Sequence, residues 1–370
     1  MLAPIREWYQ RNFSDPQAVI LALLLISAFL IIWLLGGVLA PVLVALVFAY
    51  LLDGVVTGMQ RYHIPRPLAA ATVMLVFVFF ILLLLFGVMP LLSQQVTSLI
   101  RELPNMIGRG QDSLQRLPEL YPAVFTEEQI TDLISNVRSQ VGRWGRNFLS
   151  FSIASVLNLF VISVYVVLVP LIVFFALKDK PQLLNWASEF MPNRSQLAEK
   201  VWFEADTKIA NYIRGKFIEI MIVWLVSYIT FAFMGLNYAV LLSFLVGVSV
   251  IIPFVGAVVV TLPIAIIAYF QWGFTAKLGY LLVAYQIIQI LDGNVLVPLL
   301  FSEVVDLHPL AIIISVLFFG GLWGILGVFF AIPLAALIQA ILDAWPHHHR
   351  HAGGDETEPV EHPAVEQQSS

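Results

Sequence analysis

Apolar stretches recur along the chain at lengths that match a lipid bilayer. Uncharged, strongly apolar runs occupy residues 18–35, 68–89 and 153–177, close to or above the roughly 20 residues that cross a hydrocarbon core as a helix. Two further runs, 38–52 and 217–234, have the same texture. The pattern predicts an all-α polytopic membrane protein with about eight membrane helical segments.

Two of the predicted segments are too long for a simple crossing. Residues 239–270 and 309–342 carry no charged side chain, and as straight helices each would measure about 50 Å at about 1.5 Å per residue. The hydrocarbon core is only about 30 Å thick. Each segment has a Pro- or Gly-rich break near its middle, at 252–256 and 320–324. We therefore expect two broken spans or two re-entrant hairpins.

Polar stretches divide the chain into four parts. Gly36-Gly37 is expected to turn the chain between the first two spans. Amphipathic spacing and a capping box at Thr126–Gln129 predict a small extramembrane helical domain. The expected parts are an N-terminal cytoplasmic segment with three spans (1–90), the amphipathic extramembrane domain (91–150), a C-terminal membrane domain with an amphipathic surface helix at 180–216 (151–345), and a disordered cytoplasmic tail (346–370).

Composition supports a lipid environment and excludes several functions. Only 12% of residues are charged, against roughly 25% in soluble domains. The chain contains no cysteine, which excludes disulfides, thiol catalysis and thiolate metal sites. It has no hydrolase, metalloprotease or nucleotide-loop signature and no basic block suited to nucleic acid. We expect no enzymatic activity, no cofactor and no bound metal; the lipid bilayer is the expected partner.

The distribution of basic residues predicts the orientation. With the N-terminus inside, eight spans place 13 of the 19 Lys and Arg residues in the cytoplasm, as the excess of positive charge on cytoplasmic loops requires. Both termini are then cytoplasmic. Two hairpins in place of two crossings would move only Lys277 outward.

A polar, broken stretch inside the apolar C-terminal region predicts a translocation path. In "QIIQILDGNVLVP", residues 286–298, two glutamines lead to Asp292 and a helix break. Irregular backbone at membrane depth is tolerated only where it is buried in protein or lines a wet cavity, and discontinuous helices offer dipole ends and carbonyls to solutes. The candidate path residues are Gln286, Gln289, Asp292, Asn294, Pro253, Gly256 and His308.

Each candidate has an expected role and a structural alternative. Asp292 would bind a coupling cation or proton, Asn294 and the glutamines would hydrogen-bond solute, and the 253–256 break would free backbone carbonyls. Asp292 would otherwise be an interfacial loop residue, and His308 a residue of an ordinary turn.

Other polar and small residues favour structural roles. Gly320, Gly324 and Gly327 lie close to one helix face, which is typical of tight helix packing and allows self-association. Lys216 and Glu219 are interpreted as an interfacial pair whose side chains reach toward the headgroups.

Several motifs together resemble a known family. They are "YIRGKF" (212–217), "GLNYAVLL" (235–242), "IPFVG" (252–256), "QILDGNVLVP" (289–298), "LHPL" (307–310) and "GGLWGILG" (320–327). The chain resembles the autoinducer-2 exporter family of permeases, and within it the PerM branch. The resemblance implies a multi-pass protein of the bacterial inner membrane that exports a small signalling molecule or exchanges sodium for protons. Where relatives often have Gln after the glycine of "YIRGKF", this chain has Lys216.

Three functions follow from these observations. The first is a permease or secondary transporter that exports a small polar solute. The second is an ion–proton antiporter in which Asp292 titrates. The third is a non-transporting scaffold that uses the 91–150 domain as its interaction surface.

Overall fold

The described part of the chain is entirely helical. In a computed structural model, the described residues are 16–115, 159–189, 196–253, 255–301 and 307–344, with isolated positions between 128 and 143. No β-strand occurs among them. In chain order the elements are α1 (Pro16–Gln60), α2 (Arg66–Leu83), a π-helical turn (Leu84–Val88), α3 (Met89–Gln115), α4 (Leu159–Lys178), α5 (Lys180–Glu189), α6 (Gln196–Phe233), α7 (Ala239–Ser249), α8 (Val255–Trp272), α9 (Ala276–Leu291), a second π-helical turn (Asp292–Leu296), α10 (Val297–Phe301) and α11 (Pro309–Ala344).

Helix length and apolarity identify a multi-pass membrane protein. Six stretches of the described residues are long and apolar enough to cross a bilayer: Leu34–Gln60, Arg66–Met106, Asp206–Phe233, Val255–Trp272, Ala276–Phe301 and Pro309–Gln339. Two shorter apolar helices, Val164–Lys178 and Ala239–Ser249, accompany them. The all-α polytopic class predicted from the sequence is confirmed, and the number of eight segments stays a prediction.

The expected turn at Gly36-Gly37 is wrong, because α1 runs through both glycines. A glycine costs only about 1 kcal/mol in a helix interior, which an apolar environment without water can offset. An added side chain at Gly36 would make only an ordinary contact with the indole of Trp323, at 3.9 Å, so no close approach requires a glycine here. The first two expected spans are therefore one helix, which contains Pro41 as well.

Helices also continue across two other expected boundaries. The helix that starts at Arg66 passes through the π-helical turn into α3 and ends at Gln115, rather than at Met89. Likewise α6 begins at Gln196 and continues through Lys216 into the membrane span, so no separate surface helix covers 180–216. No proline interrupts α6, which leaves its hydrogen-bond ladder intact. Most of the expected 91–150 domain, the segment 1–15 and the tail 346–370 lie outside the described residues.

Helices α1, α2 and α4 form an N-terminal bundle. Its core contains Val56, Val73 and Val173, together with the fully buried Ala69 and Ala70. These small side chains allow the helix backbones to approach closely, as is typical of helix packing in lipid.

Ion pairs close one end of this bundle. Asp53 of α1 accepts from Arg66 at 2.8 Å and from Lys180 at 2.7 Å. Arg66 also donates its Nε hydrogen to the carbonyl of Leu177 at 2.8 Å. One carboxylate therefore ties together the ends of α1, α2, α4 and α5.

Helix α6 joins the bundle to the C-terminal half. Near its start, Tyr212 and Ile213 pack with Val47 of α1, Phe301 of α10 and Ile332 of α11. Farther along, Val223 and Phe231 belong to a second core with α7, α8 and α9. The two cores share α6 as their common wall.

The segment from Ala239 to Trp272 is a helical hairpin, and its expected re-entrant placement in the membrane stays a prediction. Helix α7 has 11 residues, about 16 Å, which is too short to cross the core. Gly256 lies against the backbone of Ser249, so the chain reverses at the break. At the open end, the side chain of Gln271 accepts from the amide of Asn237 at 2.8 Å and donates to the carbonyl of Gly235 at 2.7 Å. The segment therefore begins and ends on one side of the bundle.

The segment from Pro309 to Ala344 also folds back. Gly324 has φ 61° and ψ −136°, which interrupts the helix in a conformation that favours glycine. Gly327 contacts the backbone of Phe319, and Gly320 lies against Val328. In a straight helix, residues eight positions apart are about 12 Å apart, so this contact requires a reversal. Both predicted breaks are thus confirmed as hairpin turns.

Candidate functional site

The irregular backbone between α7 and α8 lies beside a buried charge pair of α6. The Lys216 Nζ lies 2.7 Å from the Glu219 Oε2, and the two side chains are only 5% and 3% exposed. The same Nζ donates a hydrogen bond to the carbonyl of Val250 at 3.0 Å. That carbonyl lies between α7 and α8, where the helical ladder is interrupted. The lysine therefore links α6 to the hairpin tip.

Lys216 has one further partner on another element. Its Nζ lies 5.2 Å from the centre of the Phe301 ring, within the range of a cation–π contact. Gly215 is packed against the same ring, and a side chain there would push Phe301 away. The glycine thus allows α10 to approach the lysine.

The interpretation of Lys216 and Glu219 as an interfacial pair is wrong. Both residues are buried, and they lie about 15–20 Å along α6 from Asp206, where the apolar span begins. At that depth a charge costs a few kcal/mol even on lenient scales. The pair is retained because each charge has the other as a partner, and the freed carbonyl of Val250 satisfies the ammonium.

Asp292 adds a second carboxylate to this region. The helix break expected after Asp292 is wrong, because Asp292 begins the second π-helical turn, which joins α9 to α10 in one helical stretch, Ala276–Phe301. A π-helical turn is a local distortion that is frequent at functional sites. Asp292 interacts electrostatically with both Lys216 and Glu219. Its Oδ1 is buried, and no hydrogen-bond donor among the described residues reaches it. One ammonium and two carboxylates leave one negative charge in excess when all are ionised.

Polar groups of α8 and α9 extend the charged region. Tyr285 donates its hydroxyl to the carbonyl of Ala257 at 2.9 Å, and Thr261 donates to the same carbonyl at 2.8 Å. Gln289 lies beside the Tyr285 hydroxyl. We define Lys216, Glu219, Tyr285, Gln289 and Asp292 as the polar cluster.

The structure brings only part of the sequence-predicted path together. Gln289 and Asp292 belong to the polar cluster, and Pro253 and Gly256 form the break beside it. Gln286 is exposed on the surface of α9. The assignment of these residues to a translocation path stays a prediction.

The other two candidates make local contacts. Asn294 is exposed and donates to the carbonyl of Ile290 at 2.9 Å, so it caps a carbonyl at the π-helical turn. His308 is exposed, and its Nδ1 accepts from the amide of Leu310 at 3.2 Å. It serves the start of α11, which matches the structural alternative for this histidine.

The cluster lacks the features of a metal site. No group of three or more His, Asp or Glu side chains suited to a metal occurs among the residues that the structure describes. A weakly hydrated monovalent cation, a proton or a solute with hydrogen-bond donors fits one excess carboxylate better than a divalent ion with its many oxygen ligands.

Comparison with known proteins connects this architecture to transport. The sequence model described as "AI-2E family transporter" matches residues 20–347. PerM of Escherichia coli (strain K12), a permease by name, is 47% identical over 346 residues, which cover 94% of this chain and 98% of PerM. YueF of Bacillus subtilis (strain 168), a transport protein by name, is 27% identical over 81% of this chain and 82% of its own. TqsA of Escherichia coli (strain K12), named an AI-2 transport protein, is 25% identical over 83% and 86%.

Proposed function

The chain belongs to the AI-2E family of transporters, and on that premise we propose that it is a secondary transporter that exports a small polar solute past the polar cluster. The observation that carries the proposal is the buried Lys216–Glu219 pair beside the Val250 carbonyl and Asp292. Charges and free carbonyls in the interior of a membrane protein are costly, and they are typical of substrate and ion pathways. The named relatives are transport proteins rather than enzymes, in agreement with a non-enzymatic role.

The arrangement of the cluster supports a polar substrate. Lys216 has three ammonium hydrogens, of which Glu219 and the Val250 carbonyl accept two, so a solute oxygen can accept the third, while Asp292 accepts from solute hydroxyls. Hydroxyl-rich molecules satisfy both kinds of partner. Because TqsA is named for AI-2 transport, this signalling molecule is the first solute to test.

Asp292 favours one alternative, an ion–proton antiporter. Its Oδ1 has no donor among the described residues, and the cluster holds one excess negative charge. Neutralisation of that charge by a proton in one state and by a monovalent cation in the other would couple two ion fluxes. In this case the solute is the cation itself.

The membrane placement is part of the proposal. Basic residues gather at the end of the bundle where Arg66, Lys180 and Arg214 lie, and an excess of positive charge marks a cytoplasmic side. We place the protein in the bacterial inner membrane with the C-terminus cytoplasmic. Because α1 is one continuous helix whose end lies beside Arg66, its first residue, Pro16, is then on the opposite side of the membrane, against the expectation of a cytoplasmic N-terminal segment. The glycine-rich turn of α11 is the proposed surface for self-association.

Transport in proteoliposomes tests the proposal. Purified protein is reconstituted into proteoliposomes. Uptake of external AI-2 measures solute flux, and addition of sodium under a pH gradient measures proton flux. We expect Asp292→Asn to lower flux at least tenfold, because the substitution removes the excess charge and keeps the shape. Glu102→Gln changes a carboxylate on α3 that contacts Asn105 and Arg109, and this control should keep wild-type flux.

The outcomes separate the two functions. AI-2 flux that Asp292→Asn abolishes supports the exporter, whereas sodium-dependent proton flux without AI-2 flux supports the antiporter. Wild-type flux of both kinds in Asp292→Asn would remove Asp292 from the mechanism.

A further inference from the structure

A long apolar groove runs between the N-terminal bundle and the C-terminal half, away from the polar cluster. One wall is the continuous face of α2, the first π-helical turn and α3 from Thr72 to Leu92. The floor is α1 from Phe48 to Met59, and the other wall is formed by α6 and α7 around Met221 and Phe244. The cavity has a volume of about 910 Å³.

The groove has the length of a bilayer core and almost no polar lining. The 20-residue step from Thr72 to Leu92 spans about 30 Å at 1.5 Å per residue, which equals the hydrocarbon thickness. No charged side chain lines it. A polar solute would have no hydrogen-bond partner in this groove. A hydrocarbon chain that moves there from the bilayer would replace its contacts with lipid by contacts with apolar side chains.

A thin occupant suits this groove. A helix with side chains is about 10–12 Å in diameter, whereas an extended hydrocarbon chain is far thinner and can follow the space of about 910 Å³ between the apolar side chains. We therefore favour an acyl chain over a helix of a second copy.

An exposed cation follows the last groove-lining residue of α1 along the chain. Arg61 follows Met59 by two residues, in the turn between α1 and α2, and it is exposed. Within the described residues, no acidic side chain is within ion-pair distance of Arg61. By contrast Arg66, five residues later, is already paired with Asp53. Arg61 is therefore available to an anion at the end of the apolar channel.

We propose that this groove binds an anionic phospholipid, with its phosphate-bearing headgroup on Arg61 and one of its acyl chains between α2 and α6, in the half of the groove nearest that headgroup. The lipid would occupy this part of the space between the two halves of the protein, one leaflet deep. It would stabilise their relative position without touching the polar cluster, so the proposal does not depend on what the cluster transports.

Retention of lipid tests the groove itself. Protein is reconstituted in vesicles of equal phosphatidylglycerol and phosphatidylcholine, extracted in mild detergent and examined by native mass spectrometry. Wild type should keep one phospholipid per chain. Val76→Trp places a large ring in the groove at a half-exposed position and should release it. Leu75→Trp, on the neighbouring exposed face outside the groove, should retain it. Val55→Trp repeats the test from α1 if Val76→Trp misfolds.

Headgroup preference tests the role of Arg61. A basic residue near a membrane surface attracts an anionic lipid by about 1 kcal/mol, so wild type should prefer phosphatidylglycerol by about fivefold. Arg61→Gln should reduce that preference to near one and keep the occupancy. Arg101→Gln, which removes an exposed charge from α3, should leave it unchanged.

Three results would overturn the proposal. They are a wild-type protein that carries no lipid, a Val76→Trp variant that keeps it, and an unchanged headgroup preference in Arg61→Gln. A fourth check uses the cysteine-free background: efficient disulfide dimerisation through Val76→Cys would show that a second copy occupies the groove instead.

Discussion

At the scale of single residues, the Lys216–Glu219 pair is the most demanding feature of the molecule. Burial removes both charges from water, so each depends on the other. We expect Lys216→Met to lower the free energy of unfolding by about 3–5 kcal/mol, because it leaves Glu219 buried without its ammonium partner. Denaturation in mild detergent, followed by tryptophan fluorescence, measures the change.

The double variant Lys216→Met/Glu219→Leu distinguishes a lost partner from lost packing. With both charges gone, stability should return to within about 1–2 kcal/mol of wild type. Lys178→Met removes one member of the more exposed pair with Asp179 and should cost less than about 1 kcal/mol. A double variant as unstable as the single one would show that the pair's electrostatics do not set stability.

Gly256 and Gly327, beside the two hairpin turns, lie closer to another part of the backbone than the other described glycines do. A methyl group at Gly256 would overlap the carbonyl of Ser249, which is backbone and cannot move aside. We expect Gly256→Ala to destabilise the protein by about 2 kcal/mol or more, as overpacking does. Gly279→Ala on α9 meets nothing within 4 Å and should be neutral or stabilising by up to about 1 kcal/mol. Equal thermal stability of the two variants would contradict the hairpin turn.

At the scale of elements, the hairpin Ala239–Trp272 predicts that its two ends lie on the same side of the membrane. Gln271 ties the two ends of the segment together, and Lys277 lies near Gly235. Single cysteines at Asn237 and Lys277 should therefore react with an impermeant maleimide from the same side of a sealed vesicle. A cysteine at Arg61 should react only from the other side, because α6 crosses between them. Labelling of Asn237 and Lys277 from opposite sides would restore a full crossing at 239–272.

The sequence predicts elements well where the relevant physics is local. Hydropathy places the start of α2 and the end of α4 within a few residues, because an apolar run of that length is stable in lipid only as a helix. Proline and glycine likewise place both breaks, at Pro253 and Gly324. The turn expected at Gly36-Gly37 is wrong because each glycine costs a helix interior only about 1 kcal/mol, and the apolar residues on both sides continue the helix.

Features that depend on tertiary contacts cannot be read from the sequence in this way. The Lys216–Glu219 spacing is equally typical of an interfacial pair, and only the position of the Val250 carbonyl and Phe301 shows that the lysine is enclosed. The sequence indicates Asp292 as a candidate because glycine and asparagine follow it inside an apolar run. Its proximity to Lys216 involves residues 76 positions apart on another helix, for which one sequence carries no signal.

At the scale of the whole molecule, α6 is the element through which the two halves communicate. Lys216 of α6 contacts the hairpin tip between α7 and α8. Nearer the start of α6, polar contacts join this helix to the N-terminal bundle. Tyr50 of α1 donates its hydroxyl to Asp206 of α6 at 2.7 Å, and Arg214 donates to the carbonyl of Tyr50 at 3.3 Å. With Asp53 beside them, these groups form the polar seam between bundle and central helix.

This polar seam should contribute measurably to holding the halves together. Tyr50→Phe deletes one hydroxyl and preserves the ring, so Asp206 loses a hydrogen bond while the packing stays. Hydrogen bonds to charged groups contribute roughly 1.5–3 kcal/mol, and partial exposure of the seam places the expected loss near the lower value. Tyr62→Phe, at an 83% exposed position, should change nothing. In a double-mutant cycle with Asp206→Ala, the two losses should be less than additive, because each removes the same bond. Fully additive losses would mean that the bond contributes no stability and that α1 is held to α6 by the apolar contacts of Val47 with Tyr212 and Ile213.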